Sequence, residues 1–179
     1  MIRLNIKIVQ NGKLNENCYL LSKDNNYLVV DPGSEFEKIK SFIPEDAKVL
    51  GILVTHRHFD HIGALEEFVK TYNCPVFDRL GTNEETYKVG PFSFNVIFTP
   101  GHTPDSITFY FYQRRVMFDG DFVFEGNIGR CDLEGGDMKK MLESISKIKN
   151  YPDDVTFYPG HGEFTKLGHE KLKNYYFNI

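Results

Sequence analysis

Apolar residues along this chain recur with two periods, and the switches between them mark out its elements. Val49-Leu50-Gly51-Ile52-Leu53-Val54 is a continuous apolar run bounded by turn formers, which predicts a buried strand. Three strands are predicted before it, at Ile2 to Gln10, Cys18 to Ser22 and Tyr27 to Val30. The polar turn at Asn11-Gly12 joins the first two, and Asp31-Pro32-Gly33 stops the third. Phe36, Ile39, Phe42 and Ile43 give a short helix its apolar stripe, with Ser34 and Glu37 at capping-box spacing and Pro44 as the stop. Ile62, Leu65, Val69 and Tyr72 repeat at helical intervals, with Glu66, Glu67 and Lys70 on the other face. A short strand at Pro75 to Phe77 closes this first round.

The second round repeats the plan. Phe92 to Phe98 alternates as a half-buried strand, and Ile107 to Tyr112 with Val116 to Phe118 predicts a hairpin across Gln113-Arg114-Arg115. Met138, Met141, Leu142, Ile145 and Ile148 form a helical stripe behind Asp137, with both methionines expected to face the core. Val155 to Tyr158 is the last predicted strand, and Thr165 to Tyr176 reads as a closing helix. Residues 79–88 and 125–130 carry no usable period and are expected to be irregular. Two rounds of strands followed by helices place the chain in the α/β class.

Composition narrows the setting. A length of 179 residues with 41% hydrophobic content suits one domain, 1–179, with a filled core. The net charge of −4, spread without a basic run, speaks against nucleic acid or an anionic membrane surface and leaves a small-molecule substrate. No apolar stretch is long enough to cross a bilayer, and Met1 to Lys7 lacks a signal-peptide core. Cys18, Cys74 and Cys131 are odd in number and scattered, which fits a reducing compartment and a cytoplasmic location. Cys18, in an apolar strand, is expected to be a buried, inert thiol.

Chemistry concentrates where predicted strands end. Thr55-His56-Arg57-His58-Phe59-Asp60-His61 packs three imidazoles and a carboxylate into a strand-to-helix loop. In extended chain His56 and His58 point the same way and can reach one metal, while Asp60 and His61 project from the next helical turn. Thr99-Pro100-Gly101-His102-Thr103-Pro104 delivers a single histidine from a stiff turn, and Pro159-Gly160-His161-Gly162 does so again. Asp119-Gly120-Asp121 ends another strand with acids. Asp31, at a further strand exit, is either a turn-stabilising carboxylate or a support for the metal loop. Of six histidines only His169 is left over, as a surface residue of the last helix. The nitrogen and oxygen donors His56, His58, Asp60, His61, His102, Asp121 and His161 exceed what one tetrahedral zinc takes and suit two ions sharing a carboxylate.

Through His56-x-His58-x-Asp60-His61 with the later His102, Asp121 and His161, the chain resembles the metallo-β-lactamase fold superfamily. The resemblance implies a four-layer αββα sandwich with the metals at the edge of two facing sheets. It implies His56, His58 and His102 on one ion, Asp60, His61 and His161 on the other, and Asp121 between them. Two Zn2+ are expected, although a donor set without thiolate also accepts Fe or Mn. Gly120-Asp121, Gly129-Arg130-Cys131-Asp132-Leu133 and Pro159-Gly160-His161-Gly162 bring it nearest to the short glyoxalase II-like (hydroxyacylglutathione hydrolase-like) members. Asp105 and Phe122 depart from that pattern where a small residue and a threonine are usual, and both are expected beside the metals. Residues 162–179 are shorter than the helical region with which full-length glyoxalase II holds glutathione.

The activity implied is hydrolysis of thioesters such as S-lactoylglutathione. Paired cations bring a shared water toward neutral pKa so that hydroxide can attack the carbonyl, and Asp60 both ligates and orients it. Arg130 could pair with a substrate carboxylate, or with Asp132 or Glu134 as a structural ion pair. Three alternatives stay open: a mononuclear-iron persulfide dioxygenase, a hydrolase of another ester, lactone, β-lactam or phosphodiester, and a non-catalytic module braced by its metals. The complete ligand set speaks against the last.

Overall fold

The alternation within single strands separates three hydrophobic layers. In β2 (Glu16–Lys23), Cys18 and Leu20 join one buried cluster while Tyr19 and Leu21 join another. In β3 (Asn26–Val30), Val29 goes with the first cluster and Leu28 and Val30 with the second. In β4 (Lys48–Leu53), Ile52 and Leu53 divide the same way, because successive side chains leave opposite faces of a strand. The first cluster continues into Ile39 of helix α1 (Phe36–Lys40) and Leu65 and Phe68 of α3 (Leu65–Tyr72). The second continues into Phe94 and Val96 of β7 (Phe92–Phe98), Phe109 of β8 (Ile107–Phe111) and Phe118 of β9 (Val116–Gly120). The opposite faces of these strands, through Ile97, Tyr110 and Met117, pack on Met141, Ile145 and Ile148 of α4 (Met138–Ile148). Helix, sheet, sheet and helix are thus the four layers of an αββα sandwich.

In this computed structural model, residues 4–179 are described. The expected first strand runs Asn5–Asn11 (β1); its Ile2 and Arg3 lie outside the described residues. The first sheet has the order β1-β2-β3-β4-β5, where β5 is Val76–Phe77. Pairing is antiparallel across β1, β2 and β3, then parallel at β3·β4 and β4·β5 with α1 and α3 in the crossovers. The second sheet has the order β13-β12-β9-β8-β7-β6, where β6 is Thr86–Val89, β12 Thr156–Pro159 and β13 Thr165–Lys166. Its one parallel pair, β9·β12, is bridged in sequence by α4.

Several expectations are corrected. The 79–88 stretch contains β6, an edge strand whose Tyr87 and Val89 turn inward while Thr86 and Lys88 face solvent. The 125–130 loop takes part in a small hairpin, β10 (Val123–Phe124) against β11 (Asn127–Ile128), turning at Gly126 with φ +70°. Ser34 and Glu37 form no capping box: Ser34 donates to Asn11 Oδ1, and Glu35 takes the N-cap position while accepting from the Gly12 N–H. Helix α1 ends at Lys40, so Phe42 leaves its stripe and lies exposed beneath the Lys7 ammonium. The helix expected from Ile62 is two, α2 (Phe59–Ile62) and α3, broken where Gly63 meets the Gly33 carbonyl backbone to backbone. Met141 is buried, but Met138 in the first turn of α4 is exposed. The closing helix starts late, because Thr165 and Lys166 extend the sheet; α5 is Leu167–Lys173, and a 3-10 turn, Tyr175–Phe177, follows.

Phe94 sits fully buried in the inter-sheet layer, its ring 5.3 to 5.9 Å from those of Phe77, Tyr87, Phe109 and Phe111. Phe94→Ala is expected to cost about 3 to 5 kcal/mol of unfolding free energy in urea titrations, with an unchanged m-value. A loss below about 1 kcal/mol would mean that the two sheets close over the gap.

Candidate metal centre

All seven expected donors converge at one edge of the sandwich. His56 and His58 leave β4 on its exit loop, Asp60 and His61 follow in α2, His102 follows β7, Asp121 follows β9 directly, and His161 follows β12. Ligand atoms of His56, His58 and His102 lie within 4.8 Å of one another, as do those of Asp60, His61 and His161. Asp121 stands between the groups, with Oδ1 3.4 Å from His61 Nε2 and Oδ2 3.5 Å from His102 Nε2 and 3.8 Å from His161 Nε2. His161 Nε2 is also 3.0 Å from Asp60 Oδ2.

The outer ring nitrogens fix the orientation. His102 Nδ1 donates to the Arg130 carbonyl at 2.8 Å and His161 Nδ1 to the Leu14 carbonyl at 3.2 Å. His61 Nδ1 donates to Asp31 Oδ2 at 2.9 Å, and His56 Nδ1 faces Thr55 Oγ1 at 3.1 Å. Asp31 in turn accepts from the Thr55 amide at 2.7 Å and the Thr55 hydroxyl at 2.5 Å. Each of these four rings therefore aims Nε2 inward, and Asp31 serves as the support for the metal loop. His58 differs, presenting Nδ1 3.0 Å from His102 Nε2.

Burial and neighbouring charge pull the protonation of these groups in different directions. Burial pushes His56 well below the usual imidazole range, with the neighbouring His61 adding to it. Burial opposes a charged His61 too, but the Asp121 carboxylate facing it and the hydrogen bond to Asp31 outweigh burial and raise that ring. Burial would raise Asp121, yet His61 and His56 hold it well below the ordinary carboxylate range; for Asp60 the His161 hydrogen bond likewise overcomes burial. Buried His56 Nε2, His61 Nε2 and Asp121 Oδ1 have no hydrogen-bond partner among the described residues, so inward-facing lone pairs converge without a donor. Nitrogen and carboxylate donors in two groups around a shared acid fit divalent zinc, iron or manganese.

Backbone approach makes the site possible. Gly160 lies so close that a Cβ there would stand 2.5 Å from Asp121 Oδ1 and collide with the His61 ring. Gly120, at φ +56°, leaves no room for a Cβ beside Thr55.

Two supports escaped sequence reasoning. Glu16 is fully buried, burial pushes its carboxyl up to about 10, and Oε2 accepts from Asn11 Nδ2 at 2.7 Å. Oε1 stands 3.9 Å from His61 Nδ1. Asn17 Nδ2 donates to the Pro159 and Gly162 carbonyls, clamping the His161 turn to β2. Lying next to the Asn11-Gly12 turn, both residues carry only a polar-hairpin signal.

Outside the donor set, Phe122 turns away from the site into the layer under α4, so it does not lie beside the metals. Cys18 is fully buried and burial raises its thiol well above the ordinary range. His169 is exposed. The site opens into a cavity of about 430 Å³ walled by Leu14, Phe59, Phe124, Leu133 and Arg130. The Arg130 guanidinium donates twice to Asp132, at 2.9 and 2.8 Å, with both side chains largely exposed. No helix among the described residues is long and apolar enough to cross a membrane.

Known proteins resemble this chain over nearly its whole length. The family model described as Metallo-beta-lactamase superfamily matches residues 11–79 and 78–161. A probable metallo-hydrolase of Bacillus subtilis, YqgX, is 33% identical over 93% of this chain and 94% of its own length. The hydroxyacylglutathione hydrolase GloC of Haemophilus influenzae is 31% identical over 98% of this chain and 99% of its own. Among solved structures, the BLEG-1 B3 metallo-beta-lactamase superposes with a TM-score of 0.92 at 32% identity, covering 98% of this chain and 100% of that one. The di-iron-bound form of TTHA1623 does so with a TM-score of 0.85 at 31% identity, covering 95% and 99%. With that family model covering most of its length and these relatives matched nearly end to end, the chain belongs to the metallo-beta-lactamase superfamily and is a metallo-hydrolase of that superfamily.

Proposed function

We propose that this chain, acting as a single domain, hydrolyses acyl thioesters such as S-lactoylglutathione at a binuclear centre. The observation that carries the reading is the pair of three-residue donor groups on either side of Asp121, open to a cavity of small-molecule size. His56, His58 and His102 would hold one ion, Asp60, His61 and His161 the other, and Asp121 would touch both; two Zn2+ are proposed, with Fe or Mn compatible with the same donors. Bound divalent ions supply Lewis-acid polarisation of a carbonyl and a water of lowered pKa.

The chain's own groups do the rest. Asp60 lines the cavity, is held ionised by His161, and is the proposed catalytic carboxylate that orients the attacking water. Asp31 and the Arg130 carbonyl keep His61 and His102 in the tautomers that leave Nε2 free. The Arg130 side chain is proposed to meet a substrate carboxylate, for which it must release Asp132. The 31% identity to a hydroxyacylglutathione hydrolase supports the thioester class.

The deciding experiment couples metal analysis of the purified protein to thioester hydrolysis. Near two metal equivalents per chain and turnover of S-lactoylglutathione with a high KM are expected. One tightly held iron, with oxygen consumed on a persulfide and no thioester turnover, would overturn the reading.

A further inference from the structure

Beside the metal-bearing cavity lies a second one of about 450 Å³, formed by the Asn11–Leu14 turn, Gly33-Ser34 and α2. The two cavities share Leu14, Phe59 and Asp60. Phe59 is 76% exposed and Leu14 53% exposed, a large apolar surface to leave in water one residue away from a donor. Apart from Lys13, the polar side chains of the second cavity are already engaged, Asp60 with His161. Asn11 donates to Glu16 and accepts from Ser34, the Ser34 hydroxyl donates to Asn11, and the Gly12 amide donates to Glu35. Gly33 and Gly63 pack their backbones against neighbouring carbonyls and offer no hydrogen-bonding side chain. On the far side of the metal-bearing cavity the wall continues in Phe124 and in Leu133, which is 40% exposed. Apart from the histidines, the cationic side chains at either cavity are Lys13 and Arg130, and Arg130 must release Asp132 to meet even one carboxylate, a poor match for the several charges of a peptide carrier.

We infer that the second cavity is a specificity site for an aliphatic arm of the substrate, which crosses Leu14 and Phe59 while the scissile carbonyl stays at the metal-bearing cavity. The occupant is an unbranched alkyl chain, because a trough that is apolar apart from Lys13 and Asp60 at its rim rewards chiefly the area removed from water. This rests on the hydrolase reading above and specifies its substrate class: medium-chain acyl or alkyl thioesters in preference to short or multiply charged ones.

Two homologous series test it on the metal-loaded enzyme, one lengthening the acyl group from acetyl to octanoyl on cysteamine, the other lengthening the thiol of an acetyl thioester. In one of them kcat/KM is expected to rise about two- to threefold per methylene, short of the fully buried value because the trough is open. In the Leu14→Ser/Phe59→Ser double variant the octanoyl-to-acetyl ratio, or its thiol-series counterpart, should fall to within about threefold of one. The ratio cancels any general loss of activity. Calorimetric binding of octanamide against butanamide gives a readout independent of turnover, with tighter binding of the longer amide to wild type and none of that gain in the variant. Flat profiles in both series with the short thioester still hydrolysed would overturn the inference and leave the hydrolase reading standing. No turnover of any thioester, with the amides still discriminated by length, would overturn the hydrolase reading while the alkyl site survived. Amides bound without regard to length would remove the alkyl site.

Discussion

Replacing Asp121 with alanine is expected to lower kcat/KM by about a thousandfold or more, equivalent to roughly 4 kcal/mol of transition-state stabilisation. Asp121 faces both donor groups, so its loss would remove a proposed ligand from each ion and leave His61 Nε2 and His102 Nε2 without the charge that faces them. Metal content should fall from near two equivalents to one or fewer. Far-UV circular dichroism should be retained, because the donors hang from strand exits while the three buried layers lie elsewhere. His169→Ala, an exposed change on α5, is the matched control and should leave turnover and metal content unaltered. Near-normal turnover with two metals in Asp121→Ala would rule out a shared carboxylate.

Asp31 is the second position where one atom group controls much of the site. Asp31→Ala removes the acceptor for the Thr55 amide, the Thr55 hydroxyl and His61 Nδ1, all buried, and places alanine at a φ of +47°. Each orphaned donor costs about 1 to 3 kcal/mol, so a loss of about 3 to 5 kcal/mol is expected after partial relaxation. Asp31→Asn separates stability from metal binding. Asparagine tolerates the left-handed backbone and keeps one oxygen for the Thr55 amide, but its NH2 faces His61 Nδ1. His61 must then accept there and carry its proton on Nε2, pointing at the ion. Asp31→Asn should therefore lose about 1 to 2 kcal/mol of stability while metal affinity drops about 10- to 100-fold, read by competition with a chromogenic chelator. Unchanged affinity in Asp31→Asn would show that the Asp31–His61 contact does not set the tautomer.

The strands, their grouping into two rounds and the seven donors were legible because each leaves a local mark. Buried strands are apolar runs, and a histidine between Pro-Gly and Thr or Gly stands out from its surroundings. What stayed hidden depends on partners distant in sequence. Glu16 looks like any hairpin glutamate until Asn11 and His61 close around it. Thr86 to Val89 has alternation too short to register and becomes β6 only by pairing with β7. Ser34 carries the spacing of a cap, but Asn11 on a neighbouring turn is its partner. Phe122, adjacent to Asp121 in sequence, faces the opposite side because the chain bends at β10 and fills the space under α4.

The wide scatter of the donors in sequence has a consequence for how the protein comes to be loaded. A chain that has emerged only as far as α3 carries His56, His58, Asp60 and His61 together with the buried Asp31, but the two groups that flank Asp121 still wait, one for His102 and the other for His161. His161 is in turn placed only when Asn17 and Tyr19 of β2 reach across to the carbonyl of Pro159. The pocket proposed to hold two ions is therefore complete only once β12 has docked beside β9, so a chain cut before β12 is expected to bind fewer metal equivalents even with its histidine-rich loop intact.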